Sequence, residues 1–371
     1  MRKLPNIQIL RAIAALTVVL YHVGIEATSV CTSTGRACSY DLTFGVNGVA
    51  LFFMISGFIM VTTSWTSFAQ PSAPLAFMRR RITRIVPLYW LVTSLAVVGA
   101  WFAPSMLNVP VMDPVYITDS YLFWPVARVN GLVRPIANLG WTLNLEMFFY
   151  AVFTLALLFK RRLGLALAIG ILAAICALQV SGLFGAGGTL ASIQLNFWAD
   201  PIILNFIFGM LIGAIYMLGQ RVDRLGSLAL LAASALAVGS YLNMYDAING
   251  LVENSLLSRI ISAAPVLILF VAGALGPQVD MQKLHWRALL LLGDASYSLY
   301  LIHPFALRGF RGLWVKLIGD HLQVWSFMAT GLMLALAVGL GTYFLFERPM
   351  THFFSRKKGP ETKATLAVSA T

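Results

Sequence analysis

Apolar runs separated by short polar, proline or glycine breaks fill most of the chain. A transmembrane helix needs about 20 mostly apolar residues, and ten runs come close to that length. They lie at 8–26, 45–63, 85–103, 142–159, 163–181, 202–218, 226–241, 257–275, 288–306 and 323–346. The pattern predicts an all-α fold, a polytopic membrane bundle of about ten transmembrane helices in residues 1–354. The polar tail 355–371 is predicted to be disordered.

Composition supports a membrane protein and excludes an ordinary soluble domain. Of the 371 residues, 59% are hydrophobic and 11% charged, against about 45–50% and about 25% in soluble proteins. With a cytoplasmic N-terminus, eighteen of the 26 Lys and Arg fall on the cytoplasmic side, seven fall on the other side, and Arg11 lies within the membrane. This asymmetry predicts that both termini are cytoplasmic. The net charge of +12 therefore reflects topology, and we predict no nucleic-acid partner.

The cysteines leave one question open. Cys31 and Cys38 lie in the first predicted outside loop, where an oxidising compartment permits a disulfide. Seven residues of separation fit a disulfide and two free thiols equally well. Cys176 falls inside a predicted span and is interpreted as a small packing residue.

Three titratable side chains fall at a similar depth in the outer half of the predicted bundle. His22 lies near the outer end of the first span, Glu146 near the outer start of the fourth, and His303 near the outer end of the ninth. Ionisable groups inside a span are costly, so they are functional candidates. We predict that His22 and Glu146 belong to one site, whereas His303 fits a supporting role or a structural one equally well.

Arginines mark the opposite, cytoplasmic level. Arg11 lies about one turn inside the first span, and Arg81 and Arg84 lie where the third span enters. The planar guanidinium binds phosphate oxygens through two nitrogens and stays charged. These positions predict a site for an anionic cytosolic ligand such as a polyphosphate.

Helical geometry relates the two levels. Arg11 and His22 are eleven residues apart, which places them within about 20° of one face with a rise of about 16 Å. Between them on that face lie Ala14, Ala15 and Val18. This stripe of small residues fits a narrow passage and fits close helix packing equally well.

The predicted outside segment 104–140 is long for a connection and rich in aromatic residues. One interpretation is an interfacial cap whose aromatic rings lie at the headgroup level. The other is a surface for a sugar, with Trp124, Arg128, Arg134 and the adjoining Trp141 as candidate acceptor contacts.

Six segments, in order, resemble the motif set of the acyltransferase 3 family of integral membrane acyltransferases. They are ILRAIAALTVVLYH, GVALFFMISGFIM, RRRITRIVPLYW, WTLNLEMFFY, SYSLYLIHP and FERP. The start of the chain most resembles the branch of exopolysaccharide-production acetyltransferases. The resemblance implies transfer of an acyl group, usually acetyl from cytosolic acetyl-CoA, to a hydroxyl of a glycan or glycolipid outside the bacterial inner membrane.

The resemblance also implies residue roles. The family's Arg and His, separated by ten residues, fall on Arg11 and His22, and its paired arginines fall on Arg81 and Arg84. Where the family usually has two adjacent carboxylates, this chain has Glu146 followed by a methionine. His22 would act as general base or acyl relay, with Glu146 orienting the imidazole. Supporting roles are assigned to Ser56, Tyr300 and His303.

The predicted partners follow from these roles. They are an acyl-CoA donor, a glycan or lipid-linked saccharide acceptor, and the bilayer. Acetyl-CoA is expected as a co-substrate, with no tightly bound cofactor and no metal site, and the sequence specifies no oligomeric state. The alternative function is a transporter or flippase that uses His22 and Glu146 as a proton relay, although the internal symmetry typical of transporters is not evident.

Overall fold

The computed structural model describes residues 4–33, 40, 42–102, 113–127, 131–183, 190–252, 256–318 and 324–356. Within them the chain forms fourteen α-helices and one isolated bridge between Ala127 and Val133. The helices are α1 (Pro5–Ser33), α2 (Asn47–Ser64), α3 (Ala73–Phe102), α4 (Pro114–Tyr121), α5 (Trp141–Ala156), α6 (Arg161–Val180), α7 (Leu190–Trp198), α8 (Ile203–Met217), α9 (Arg224–Val252), α10 (Leu256–Leu275), α11 (Leu284–Asp294), α12 (Ser296–Ile318), α13 (Val324–Thr342) and α14 (Arg348–Arg356). The predicted all-α fold is confirmed.

Eight helical segments of the described chain are long and apolar enough to cross a bilayer. Helices close their backbone hydrogen bonds internally, which a bilayer requires of every spanning segment. All ten predicted runs overlap a helix, but the apolar part of α10 is short and α12 carries Arg308, Arg311 and Lys316. The multi-pass bundle is confirmed, while the count of ten and the cytoplasmic termini stay predictions. The predicted tail lies outside the described residues from 357 onward.

One predicted span is divided. The run 288–306 breaks at Ala295, between α11 and α12. Glu347, in the π-helical turn Tyr343–Glu347, accepts hydrogen bonds from the backbone N–H and the hydroxyl of Ser298, at 3.1 and 2.5 Å. A carboxylate at a helix N-terminus satisfies free N–H groups and the helix dipole. This bond fixes the start of α12, which carries several candidate site residues.

Glycines allow the central helices to approach closely. A Cβ at Gly57 on α2 would overlap the carbonyl oxygen of Phe206 on α8, and one at Gly209 on α8 would overlap that of Met54. Only a residue without a side chain fits such a contact. Gly57 and Gly209 therefore bring the backbones of α2 and α8 into direct contact.

The small face of α1 is packed shut. Ala14 and Ala15 are fully buried and Val18 is nearly so. A Cβ at Gly48 on α2 would lie 2.5 Å from the Ala14 carbonyl oxygen, and Ala15 packs in a cluster with Leu299 of α12. Of the two interpretations of this stripe, close packing is correct, and the passage along α1 between the two levels is wrong.

Candidate active site

Helices α1, α2, α3, α5 and α12 enclose a cavity of about 730 Å³, its open mouth included. We call it the arginine cavity, because Arg11, Arg81 and Arg84 all line it. The three arginines predicted at one depth are thus brought to one space, from α1 and from two turns of α3. The cavity wall also carries Ser56 and Glu146.

The arginines are held by few protein contacts. Arg81 lies over the rings of Phe77 and Tyr150, with its guanidinium carbon 5.1 and 5.4 Å from the ring centroids. Its Nε is buried and has no hydrogen-bond partner among the described residues. Arg11 is buried and donates to the Gln8 side chain at 3.2 Å. Buried donors without partners are costly, so these groups are suited to an anionic ligand.

A second opening adjoins the arginine cavity. Arg11 and Arg84 also line a wide vestibule of about 1130 Å³, its open space included, together with Asp294 and Arg348. Two arginines therefore border both spaces.

Glu146 belongs to the arginine cavity. Its Oε1 accepts hydrogen bonds from Ser56 at 2.8 Å and from Tyr150 at 2.5 Å. Among the described residues no hydrogen bond joins Glu146 to His22. The predicted pairing of these two side chains is therefore wrong, because Glu146 and His22 line different cavities.

His22 lines a separate cavity of about 490 Å³, its opening included, with Asn138, Pro304 and Arg308. We call it the histidine cavity. His22 Nδ1 lies 2.9 Å from the Val18 carbonyl oxygen. A carbonyl only accepts, so Nδ1 carries the proton and Nε2 is the basic nitrogen of the neutral ring.

His303 is fully buried beside His22. The two ring centroids are 4.9 Å apart in an edge-to-face arrangement. His303 Nδ1 lies 2.9 Å from the Leu299 carbonyl oxygen, and its Nε2 is buried without a hydrogen-bond partner among the described residues. Helix α12 thus supplies a second imidazole against the first, from a distant part of the chain.

Hydrogen bonds link the lining of one cavity to that of the other. The hydroxyl groups of Tyr300 and Thr142 lie 2.9 Å apart, and Thr142 also donates to the Leu139 carbonyl oxygen at 3.0 Å. Tyr300 and Thr142 line the arginine cavity, whereas Leu139 lines the histidine cavity. We call this contact the partition.

An ion cluster that the sequence analysis did not identify adjoins the histidine cavity through Arg308. Glu26 is buried, and its carboxylate lies 2.7 Å from Arg311 Nη1 and 3.6 Å from Arg308 Nε. The sequence does contain a signal for this cluster, because Glu26 follows His22 by four residues and so lies on the same helix face. The two arginines had been assigned to topology alone.

The predicted acceptor contacts Trp124, Arg134 and Trp141 are not in the described lining of the histidine cavity. The Arg134 guanidinium stacks on Trp141 at 4.3 Å, and the half-exposed Trp124 packs edge-to-face on Trp198 with centroids 5.2 Å apart. The described lining of the cavity instead includes residues 136–140. Arg128 and Cys38 lie outside the described residues. Cys31 is disulfide-bonded, which excludes the alternative of two free thiols.

Comparison with known proteins identifies the class to which this arrangement belongs. A family model described as an acyltransferase domain matches residues 4–344, from the start of α1 into the π-helical turn. The chain is thus a membrane-embedded O-acyltransferase. It belongs to the acyltransferase 3 family, as the motif order predicted. Membership favours this function over the transporter alternative.

Relatives span most of the chain. It is 32% identical to the exopolysaccharide production protein ExoZ of Rhizobium meliloti over 84% of this chain and 91% of that protein. It is 28% identical to the acyltransferase MdmB of Streptomyces mycarofaciens over 96% and 94%. It is 23% identical to the O-acetyltransferase OatA of Staphylococcus aureus over 99% of this chain and 61% of that protein. No solved structure matches the chain.

Proposed function

We propose that this protein transfers an acyl group, in the first place acetyl, from cytosolic acyl-CoA to a hydroxyl of an exopolysaccharide or its lipid-linked precursor. The names of two relatives, an exopolysaccharide production protein and an O-acetyltransferase, support this acceptor class and this acyl group. The proposal places the protein in a bacterial inner membrane with both termini cytoplasmic.

The arginine cavity is the proposed donor site. Arg11, Arg81 and Arg84 would bind the phosphates of the donor nucleotide, for which guanidinium groups are well suited. The vestibule shares Arg11 and Arg84 with this cavity, so the bulky nucleotide would lie there while the thin thioester arm extends inward. Glu146 would keep Ser56 and Tyr150 in place on the wall along that arm.

The histidine cavity is the proposed acceptor site. His22 Nε2 would take the proton of the acceptor hydroxyl as its oxygen attacks the thioester carbonyl carbon. The carbon–sulfur bond then breaks, the acyl–oxygen bond remains, and the imidazolium returns the proton to the CoA thiolate. This assigns the chemistry to His22 without a carboxylate partner, since Glu146 lies across the partition.

The partition sets the route of the acyl group. For direct transfer, the thioester would have to pass Tyr300 and Thr142 to meet the acceptor hydroxyl. In the relay variant, His22 Nε2 attacks the thioester, CoA leaves, and the acyl-imidazole then passes the acyl group to the hydroxyl. In both variants the separation of three arginines from one imidazole is the observation that carries the proposal.

Reconstitution of the full chain in lipid nanodiscs tests the proposal. With radiolabelled acetyl-CoA and lipid-linked saccharides extracted from exopolysaccharide-producing bacteria, we expect CoA release and labelled saccharide. The H22Q variant keeps a side-chain donor for the Val18 carbonyl but lacks the base. It should lose about 10²- to 10⁴-fold in rate, while neighbouring Y21F stays active.

Two outcomes would contradict the assignment. Near-normal saccharide labelling by H22Q would exclude His22 as base and as relay. Absence of CoA release by the wild-type protein would exclude the donor. Label retained on the protein without acceptor, and lost in H22Q, would favour the relay over direct transfer.

A further inference from the structure

We propose that Arg308 binds an anionic group of the acceptor, a sugar carboxylate or a phosphate of a lipid-linked saccharide, beside the hydroxyl that His22 deprotonates. This subsite rests on the proposed function and specifies its substrate class. It accounts for a charge that neither the fold nor the transfer chemistry otherwise uses.

The ion cluster holds one positive charge more than it needs. Buried Glu26 faces two guanidinium groups, and the shorter contact, 2.7 Å, belongs to Arg311. Arg308 reaches the same carboxylate only through Nε, at 3.6 Å. One arginine suffices to neutralise one carboxylate, so the second guanidinium is not needed to balance the charge of Glu26. Stabilisation of the packing between α1 and α12 therefore does not by itself explain Arg308.

Its position gives the surplus charge a use. Arg308 lines the histidine cavity together with His22 and is the sole formally charged side chain in the described lining. The two terminal nitrogens of its guanidinium make no hydrogen bond to a described residue. They remain available to a ligand, in the planar geometry that matches carboxylate and phosphate oxygens.

The rest of the lining suits a saccharide with one charged group. Asn138 supplies an amide, and Phe305 and Pro304 supply apolar faces. A neutral acceptor would have to desolvate Arg308 without compensation, which disfavours its binding. We therefore expect selection for acceptors that carry an anion near the acylated hydroxyl.

Arg311 provides a matched control. It contacts the same carboxylate as Arg308, and the two side chains are similarly exposed, at 33% and 30%. It is not among the described residues that line the histidine cavity. Replacing either arginine removes one contact of Glu26, but only Arg308→Gln should alter acceptor selection.

The test uses nanodisc-reconstituted protein, acetyl-CoA and three acceptor probes. These are p-nitrophenyl glucuronide, its uncharged counterpart p-nitrophenyl glucoside, and undecaprenyl diphosphate-linked glucose. The wild-type and R311Q proteins should prefer one of the anionic probes by about 10- to 100-fold in kcat/KM, the range for hydrogen bonds to a charged group. R308Q should lose that preference through KM. Preference for the glucuronide identifies a sugar carboxylate, and preference for the lipid identifies a phosphate.

A binding readout complements turnover. Diethyl pyrocarbonate modifies accessible imidazoles, and mass spectrometry of the His22 peptide measures the extent. Glucuronate or undecaprenyl phosphate, but not glucose, should protect His22 in the wild-type and R311Q proteins and not in R308Q.

Distinct results separate the two proposals. CoA release with charged and neutral acceptors alike, and equal protection by all probes, would overturn the anion subsite and leave the proposed function standing. If R311Q lost its preference for anionic acceptors as fully as R308Q, the anion subsite would likewise be overturned. A wild-type protein that releases no CoA under any condition would overturn both.

Discussion

The arginine cavity gathers three guanidinium groups around one carboxylate, whereas the histidine cavity pairs one guanidinium with an imidazole whose Nε2 is basic. Tyr300 and Thr142 line the first cavity, their hydroxyl groups are 2.9 Å apart, and Thr142 donates to the carbonyl oxygen of Leu139, which lines the second. The first cavity is suited to holding a polyanionic donor and the second to moving a proton. Under the proposed function, donor binding and acceptor chemistry belong to different cavities, so variants in each cavity should have separable effects.

The largest separable effect is expected from the arginines. R84A should raise the KM for acetyl-CoA by about 10- to 100-fold, because it removes charge-assisted bonds to phosphate. The acceptor KM should not change. Arg80, exposed on the same helix and outside the cavity lining, is the matched control. Initial-rate kinetics against each substrate measures both values, and a similar increase for R80A would attribute the effect to general surface charge.

The E146Q variant tests in which cavity the carboxylate acts. The amide oxygen can still accept from Ser56 or Tyr150, but the charge is lost, so we expect about a tenfold fall in kcat/KM for acetyl-CoA. The acceptor KM and the reaction of His22 with diethyl pyrocarbonate should match the wild type. A changed His22 reactivity would instead restore the pairing expected from sequence.

That pairing shows which part of the site the sequence could predict. Depth along a helix is readable, because the bilayer fixes where each span enters and leaves. Arg11, Arg81 and Arg84 were correctly grouped on that basis. The direction that a side chain faces around the helix axis cannot be predicted in the same way, because it depends on how neighbouring helices pack. Glu146 and His22 were predicted at a similar depth and line different cavities.

The fold was largely predictable for a related reason. A bilayer admits a spanning segment only if its backbone bonds are closed internally, so the apolar runs defined the helices. The division of 288–306 at Ala295 was not predictable, since it depends on Glu347 reaching the start of α12 from the far end of the chain. Arg308 was missed because the Lys and Arg residues near span ends were interpreted as topological signals, and Glu26 because its contact with α12 depends on helix packing.

The Y300F variant tests the partition itself. It removes the hydroxyl contact with Thr142 and keeps the ring, so the barrier between the cavities should weaken. We expect about a 2- to 10-fold rise in acetyl-CoA hydrolysis without acceptor, the effect of one neutral hydrogen bond. Tyr297 is the matched control, because its hydroxyl donates to the Ile85 carbonyl at 2.7 Å inside the arginine cavity. Equal hydrolysis by Y297F and Y300F would argue against a specific partition.

The smallest effects are expected for Asn138 and Trp124, two alternative contacts for the acceptor. Trp124 packs on Trp198 and is not in the described lining of the histidine cavity, whereas Asn138 lines it. N138A should raise the acceptor KM by about 2- to 10-fold, as loss of one hydrogen bond would. W124A should change it by less than about twofold, since surface substitutions away from a site have small effects. Titration of the preferred p-nitrophenyl glycoside or lipid-linked acceptor measures both. The reverse order would move the acceptor site from the cavity wall to the aromatic surface that the sequence first suggested.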